Sequence, residues 1–403
     1  MKRIVIDKLE VLRRMRGVRT MLMIGALAAG QAFLLLAPYP ISARRAYEAY
    51  YNYIGNYPRN ANTGWNGDPQ GLTHDQDDWF IIERKRIWRI PVTQDLKNVG
   101  CGGRVVCRSL DDFPALLSER YDHMGDPEYY HFGGKGYVLV PMEGTEDDRL
   151  FARGVAAFDA TTLEYIAHAP LPGQIHCSWL AVDPQGNVYS SEYKDVTAIN
   201  KFGLDWAALS NTENPRLILS SPTLIPLFDG DQSQVVIQNV QGGVVSPSGE
   251  LLYVVADGIH VFDLGSGTRI QLSTNGSGYF NYEFHPEYLG KYEEPEGLTI
   301  WDLDDGRAPG IRGQLHAILR DNDHIGANEV YLKHYTNTIC VDRNYQGVEA
   351  GTEAQPFNTV NEANNWAWDG ARVRIKGAPY PERPTFAKRV EVVAHEGSVI
   401  IGK

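Results

Sequence analysis

Short apolar runs that alternate with polar residues fill the middle of the chain. Trp79-Phe80-Ile81-Ile82 and Ile87-Trp88-Arg89-Ile90-Pro91-Val92 flank a charged turn over 83–86. Two such runs around a tight polar turn predict a β-hairpin. Residues 136–141 pair with 154–159 by the same pattern. A third unit runs over 180–183, 188–191 and 196–200, a fourth over 243–245, 251–255 and 258–263, and a fifth over 298–302, 314–319 and 330–333. Turns such as Pro184-Gln185-Gly186-Asn187 supply the reversals, because glycine takes positive φ without steric cost. A polar residue followed by glycine and an apolar strand heads several units. The fullest copy is Glu293-Glu294-Pro295-Glu296-Gly297-Leu298-Thr299-Ile300-Trp301-Asp302. Gln70-Gly71-Leu72-Thr73-His74-Asp75 and Gln241-Gly242-Gly243-Val244-Val245 repeat it, and His176-Cys177-Ser178-Trp179 and Tyr130-His131-Phe132-Gly133 are looser copies. An irregular strand-rich repeat of roughly 40–60 residues predicts a propeller. The expectation is an all-β chain with a five- or six-bladed β-propeller over 46–337; residues 217–240 leave room for the sixth blade, and 46–57 form an opening strand or short helix.

The pattern changes at 338. A helix is expected over 359–368, with Asn358 or Thr359 as N-cap, Val360, Ala363 and Ala367 on one face, and Gly370 closing it. Strands are expected over 371–375, 390–394 and 398–402. The run Gly351-Thr352-Glu353-Ala354-Gln355-Pro356-Phe357-Asn358-Thr359-Val360 resembles the N-terminal start of right-handed parallel β-helix proteins, the pectate-lyase-like enzymes and DUF1565-type domains. The resemblance implies a truncated right-handed β-helix-like module over 338–403, with a capping helix and about one coil, where a β-helix stacks several. The catalytic residues of those enzymes lie on later coils, so the expectation is a module that packs on the propeller, adds to a partner's sheet edge, or is a remnant.

Composition adds a compartment. Lys2, Arg3, Lys8, Arg13, Arg14, Arg16 and Arg19 precede an apolar run over 21–37, and Ile41-Ser42-Ala43 follow. Residues 1–43 therefore read as a signal peptide cleaved near Ala43, or as a retained signal anchor that is the chain's one expected tie to a membrane. Either way the remainder is secreted or extracytoplasmic. The net charge of −12 becomes −17 once the leader's seven basic and two acidic residues are removed. That balance speaks against nucleic acid as a partner, which needs clustered Lys and Arg, and suits divalent cations. Cys101 and Cys107 bracket a five-residue loop and are a disulfide candidate in an oxidising compartment.

The heads of the inner strands converge on a propeller's central channel, which is where a site is expected. The string Pro295-Glu296-Gly297-Leu298 resembles the start of a blade in the calcium-dependent propellers of the SMP-30/gluconolactonase and paraoxonase groups, and similar strings in phytase-like propellers. In those families a glutamate at this place binds a metal, so the resemblance implies Glu296 as a metal ligand and calcium as cofactor. Their other ligands are Asn and Asp; here Gln70, His131, His176 and Gln241 stand near those places. His74, beside Asp75, is a further channel candidate as a base. No nucleophile elbow, phosphate-binding loop or dinucleotide fingerprint is present. Two functions follow as expectations. One is an exported, non-catalytic binding protein for a carbohydrate or an extracellular protein; the alternative is a calcium-dependent hydrolase of lactones or phosphate esters at Glu296 and the channel histidines.

Overall fold

The computed structural model describes residues 51–146, 149–273, 293–321, 329–349, 351, 355–367, 371–388 and 390–402. The leader over 1–43 and Gly370 lie outside them. The chain divides between Asn337 and Thr338 into two compact units.

In the first unit the alternating runs form five antiparallel sheets arranged as blades. After β1 (Asn52–Arg59), blade one holds β2 (Pro69–His74), β3 (Asp78–Glu83), β4 (Arg86–Pro91) and β5 (Val106–Ser109). Blade two holds β6 (His123–Met124), β7 (Glu128–Phe132), β8 (Lys135–Glu146), β9 (Arg149–Asp159) and β10 (Tyr165–Pro170); β6 and β7 both pair with β8 and together make one interrupted inner strand. Blade three is β11 (Ala181–Val182), β12 (Asn187–Ser190), β13 (Ala198–Gly203) and β14 (Thr223–Pro226). Blade four is β15 (Gly242–Val245), β16 (Leu251–Val255), β17 (Ile259–Asp263) and β18 (Arg269–Leu272). Blade five is β19 (Glu293–Ile300), β20 (Leu315–Asp321) and β21 (Glu329–Thr336), completed by β1 as its outermost strand. The propeller is thus five-bladed. Residues 217–240 supply β14 and the crossing to blade four rather than a sixth blade, and the opening segment is a strand.

The middle strands read as continuous apolar runs because both of their faces are buried. In β3, Trp79 and Ile81 enter the core shared with blade five, while Phe80 and Ile82 enter the core shared with blade two. The period of two in the strand makes this division automatic. In β16, Leu251, Tyr253 and Val255 face blade five, and Leu252 and Val254 face blade three. Five apolar cores result, one per blade interface.

The inner strands meet on Asp126, in the break between β6 and β7. Its side chain is fully buried. Oδ1 accepts the Leu72 N–H (3.0 Å) and Oδ2 the Gly243 N–H (3.0 Å). Burial works against the charge of this carboxyl, and the N–H groups of Gly243, Leu72 and Leu298 favour it. Its own backbone N–H donates to Ser178 O (2.9 Å), and its carbonyl accepts from Leu180 (3.1 Å). One aspartate therefore ties its own blade to the other four. Inner strands have no neighbour on the axis side, and their N–H groups would otherwise be buried and unpaired. The approach also explains the repeated glycine: a Cβ at Gly71 would stand 2.4 Å from Asp126 Oδ1, and one at Gly297 would stand 2.3 Å from it.

In the second unit, β22 (Thr338–Val341), β23 (Arg372–Lys376) and, beyond β24 (Pro379–Tyr380), β25 (Glu391–His395) pair in parallel in the order β22-β23-β25; β24 pairs in parallel with β26 (Ile400–Ile401). The helix Val360–Trp366 starts at a capping box, in which the Thr359 side chain accepts the Glu362 N–H and the Glu362 side chain accepts the Thr359 N–H. Val360, Ala363 and Ala367 are buried.

Candidate functional site

At the heads of the inner strands, above Asp126, lies a cavity of about 340 Å³. Two matching irregularities aim side chains into it. The pairing of β2 with β3 shifts register between Pro69 and Gly71, and that of β19 with β20 shifts between Pro295 and Gly297. Gln70 and Glu296 are the extra residues of these bulges. A bulge re-aims the side chain that it carries, and both line the cavity.

One wall is acidic and closes around a single guanidinium. Arg320, the cross-strand neighbour of Glu294, reaches Asp68 at 2.7 Å, Glu296 at 3.0 Å and Glu294 at 4.0 Å. The Glu296 side chain is only 2% exposed. Burial pushes its carboxyl up to about 8, although Arg320 pulls the other way. At neutral pH it therefore holds a proton.

The opposite wall is built on the cross-strand pair His123 and Glu143. Gln70 donates its amide to Asp68 and to Pro69 O, which leaves its Oε1 to accept from His123 Nε2 at 2.6 Å. Burial lowers the pKa of His123, which favours the neutral ring. Glu143 accepts the Cys177 N–H at 2.6 Å and faces His176 Nδ1 at 3.6 Å. Burial would raise the Glu143 carboxyl, but His176, the Cys177 N–H and His123 outweigh it and hold the group below its usual range. The same contact raises His176. The two glutamates of the cup are thus pushed in opposite directions, Glu296 toward its protonated form and Glu143 toward its ionised one. Tyr193, Gln241 and Ser178 line the space between the walls.

Of the residues singled out from sequence, Gln70, His176, Gln241 and Glu296 come together in the cup. His74 does not: its ring stacks on Trp301 at 4.3 Å, and its nitrogens face Asp75 O (2.7 Å) and Ile300 O (2.9 Å). Asp75 turns away to accept the N–H groups of Asp77 and Asp78. His131 lies on β7 beyond the Asp126 break and is exposed. Cys101 and Cys107 are joined in a disulfide leading into β5, away from the cup. Buried Cys177 is a free thiol at the cup, and burial pushes its pKa far up, which removes it as a nucleophile.

Arg84, His123, Glu143, Tyr193 and Arg320 complete the site and were not foreseen from the repeats. They come from second strands, turns and the short β6 rather than from the polar–glycine heads. The one signal in sequence was polarity: Arg320 and Glu143 each follow an apolar run within their strands.

Calcium takes six to eight oxygen ligands. Here the carboxylates that converge, Asp68, Glu294 and Glu296, do so on the Arg320 guanidinium, which stands where a cation would. Among the described residues no group of three His, Cys, Asp or Glu side chains is placed to hold a metal. The residues present do not fit a calcium site at Glu296.

No family model matches the chain, and no curated protein matches it in sequence. Solved structures similar to it include the GH43_1 enzyme from Xanthomonas citri complexed with xylotriose, at 12% identity over 73% of this chain and 92% of that one, with a TM-score of 0.41. RS223-Beta-xylosidase is similar at 11% identity over 71% and 94%, TM-score 0.41. A gluconolactonase from Xanthomonas campestris is similar at 14% identity over 64% and 68%, TM-score 0.33. Likeness at this level concerns the propeller fold, and none of those activities is carried over to this chain.

Proposed function

We propose that the cup binds one unit of a small, hydroxyl-rich ligand, a carbohydrate. The observation that carries this reading is the cavity itself: about 340 Å³ and lined by planar polar groups beside an aromatic ring. A volume at the low end of the roughly 300–1,000 Å³ of small-molecule sites suits a sugar unit better than a protein surface. Gln241 and Glu296 offer donors and acceptors of the kind that hydroxyl pairs require, and Tyr193 offers a ring with a polar tip. The basic and apolar leader supports a place outside the cytoplasm. The parallel strands and capped helix of 338–403 support reading that unit as the opening coil of a parallel β-helix.

A ligand that binds only the folded chain stabilises it, by about 2.7 kcal/mol at one hundred times Kd. Thermal melts with a panel of mono- and oligosaccharides are expected to show a rise of several degrees for a narrow subset. A panel that leaves the melt unmoved sinks the reading.

The opposed states of Glu296 and Glu143 favour a second reading, in which the cup also hydrolyses its ligand without a metal. Two carboxyl groups whose surroundings push their titrations apart can serve as proton donor and as base. Glu296 would donate the proton and Glu143, held by His176, would accept one. Chromogenic glycosides assayed in EDTA test this: turnover is expected to persist in the chelator and to fall about a hundredfold or more in E296Q and in E143Q. Turnover that needs calcium would overturn it.

A further inference from the structure

We infer that the ligand of the cup carries a carboxylate, held by Arg84, so that the site takes an acidic sugar in preference to its neutral counterpart. This rests on the carbohydrate reading of the cup. Arg84 occupies the two-residue turn between β3 and β4, where its main chain is fixed on both sides. Its N–H donates to Asp68 O (2.9 Å), and its carbonyl accepts the Met124 N–H (3.0 Å). The side chain lines the cavity with 43% of its surface exposed.

The two arginines of the cup differ in how well they are satisfied. Arg320 is held by three carboxyl groups, two of them within 3.0 Å. Arg84 faces Asp122 at 3.9 Å, at the edge of an ion pair, and its Nε is buried without a hydrogen-bond partner. An unmet buried N–H of a charged group is costly. A ligand carboxylate would let the guanidinium turn and close a two-point contact that a lone hydroxyl does not offer. Arg320 is already held by Asp68, Glu294 and Glu296, so of the two arginines Arg84 is the one left to take a ligand carboxylate. Asp122 meets Arg84 only at 3.9 Å, and Glu143, the other acid of the cup, is already engaged by the Cys177 N–H and His176.

The test is calorimetry on the full chain with matched pairs, glucose against glucuronate and galactose against galacturonate, together with their short oligomers. The wild type is expected to bind the acidic member of a pair at least tenfold more tightly, and less so as salt is raised. R84Q is expected to lose that preference, the acidic member falling to the affinity of the neutral one. R84K, which keeps the charge without the two-point geometry, should fall between. Melting curves verify that each variant is folded. Equal affinity within a pair, or a preference that survives in R84Q, overturns the inference. Binding of the neutral sugar alone overturns it and leaves the carbohydrate reading standing, whereas binding of neither member overturns both.

Discussion

A methyl group is enough to test the axis. At Gly71 an added Cβ meets the Asp126 carboxylate at 2.4 Å, and both sides of that contact are held by backbone. Overpacking of this kind costs about 1–3 kcal/mol and more where nothing can move. G71A and G297A are therefore expected to lower the urea midpoint clearly, whereas G230A, at a glycine whose Cβ would meet open space, should leave it nearly unchanged. D126A removes the acceptor of the Leu72 and Gly243 N–H groups. At about 1–3 kcal/mol for each buried donor left unpaired, a loss of roughly 3 kcal/mol or more is expected. Glu296 gives a prediction in pH. Its carboxyl moves from an ordinary 4.5 to about 8 in the fold. Between those values the folded chain keeps a proton that the unfolded chain has released. The stability that this proton brings is complete below about pH 4.5 and is lost as pH rises through about 8, at close to 1.4 kcal/mol per pH unit. Urea unfolding at pH 5, 7 and 9 should show a steeper fall in the wild type than in E296Q; parallel curves would exclude a buried, protonated Glu296. At this scale the sequence was legible where the fold repeats itself. The polar–glycine heads led to Gln70, Gln241 and Glu296 because each precedes a glycine of close approach. The same reasoning misplaced His74 and His131, since being near a strand head does not fix which end of the channel a residue faces. Arg84 went unread and Glu143 had only its polarity to mark it, because their roles depend on a turn and on cross-strand register, which no local pattern encodes.

Among the elements, β1 has the largest consequence. It pairs antiparallel with β21 and so closes the ring between the two ends of the propeller sequence. The Asn60 N–H donates to Val330 O (2.8 Å), the Asn60 side chain accepts the Val330 N–H (2.7 Å), and Arg59 meets Glu329 at 2.6 Å. The exposed ion pair adds little; the strand pairing matters more. Removing residues 1–60 is expected to leave β21 as a bare edge, with a lower melting temperature and aggregation visible by light scattering, as unpaired edges template further pairing. Truncation at residue 43 spares β1 and should do neither. The closing strand was hard to read in sequence because its partner lies some 270 residues away, and a lone tyrosine-rich run fits either a strand or a short helix. The five meanders were easy to read because each is local.

At the scale of the whole molecule, the acidic balance of the chain and the contents of the cup answer different questions. The net charge of −12 describes the surface at large, while the cup sorts its charges into an anionic wall gathered on Arg320 and a wall bearing Arg84, His123 and His176. The acidic wall itself needs the closed ring, since it joins Asp68 of blade one to Glu294, Glu296 and Arg320 of blade five. Asp126 is buried where the inner strands meet, and its own side chain occupies the axis there. On the carbohydrate reading proposed above, that would make the cup a cul-de-sac: a polymer would insert one terminus, with the rest of its chain trailing in solvent, and a second molecule would wait until the first had gone.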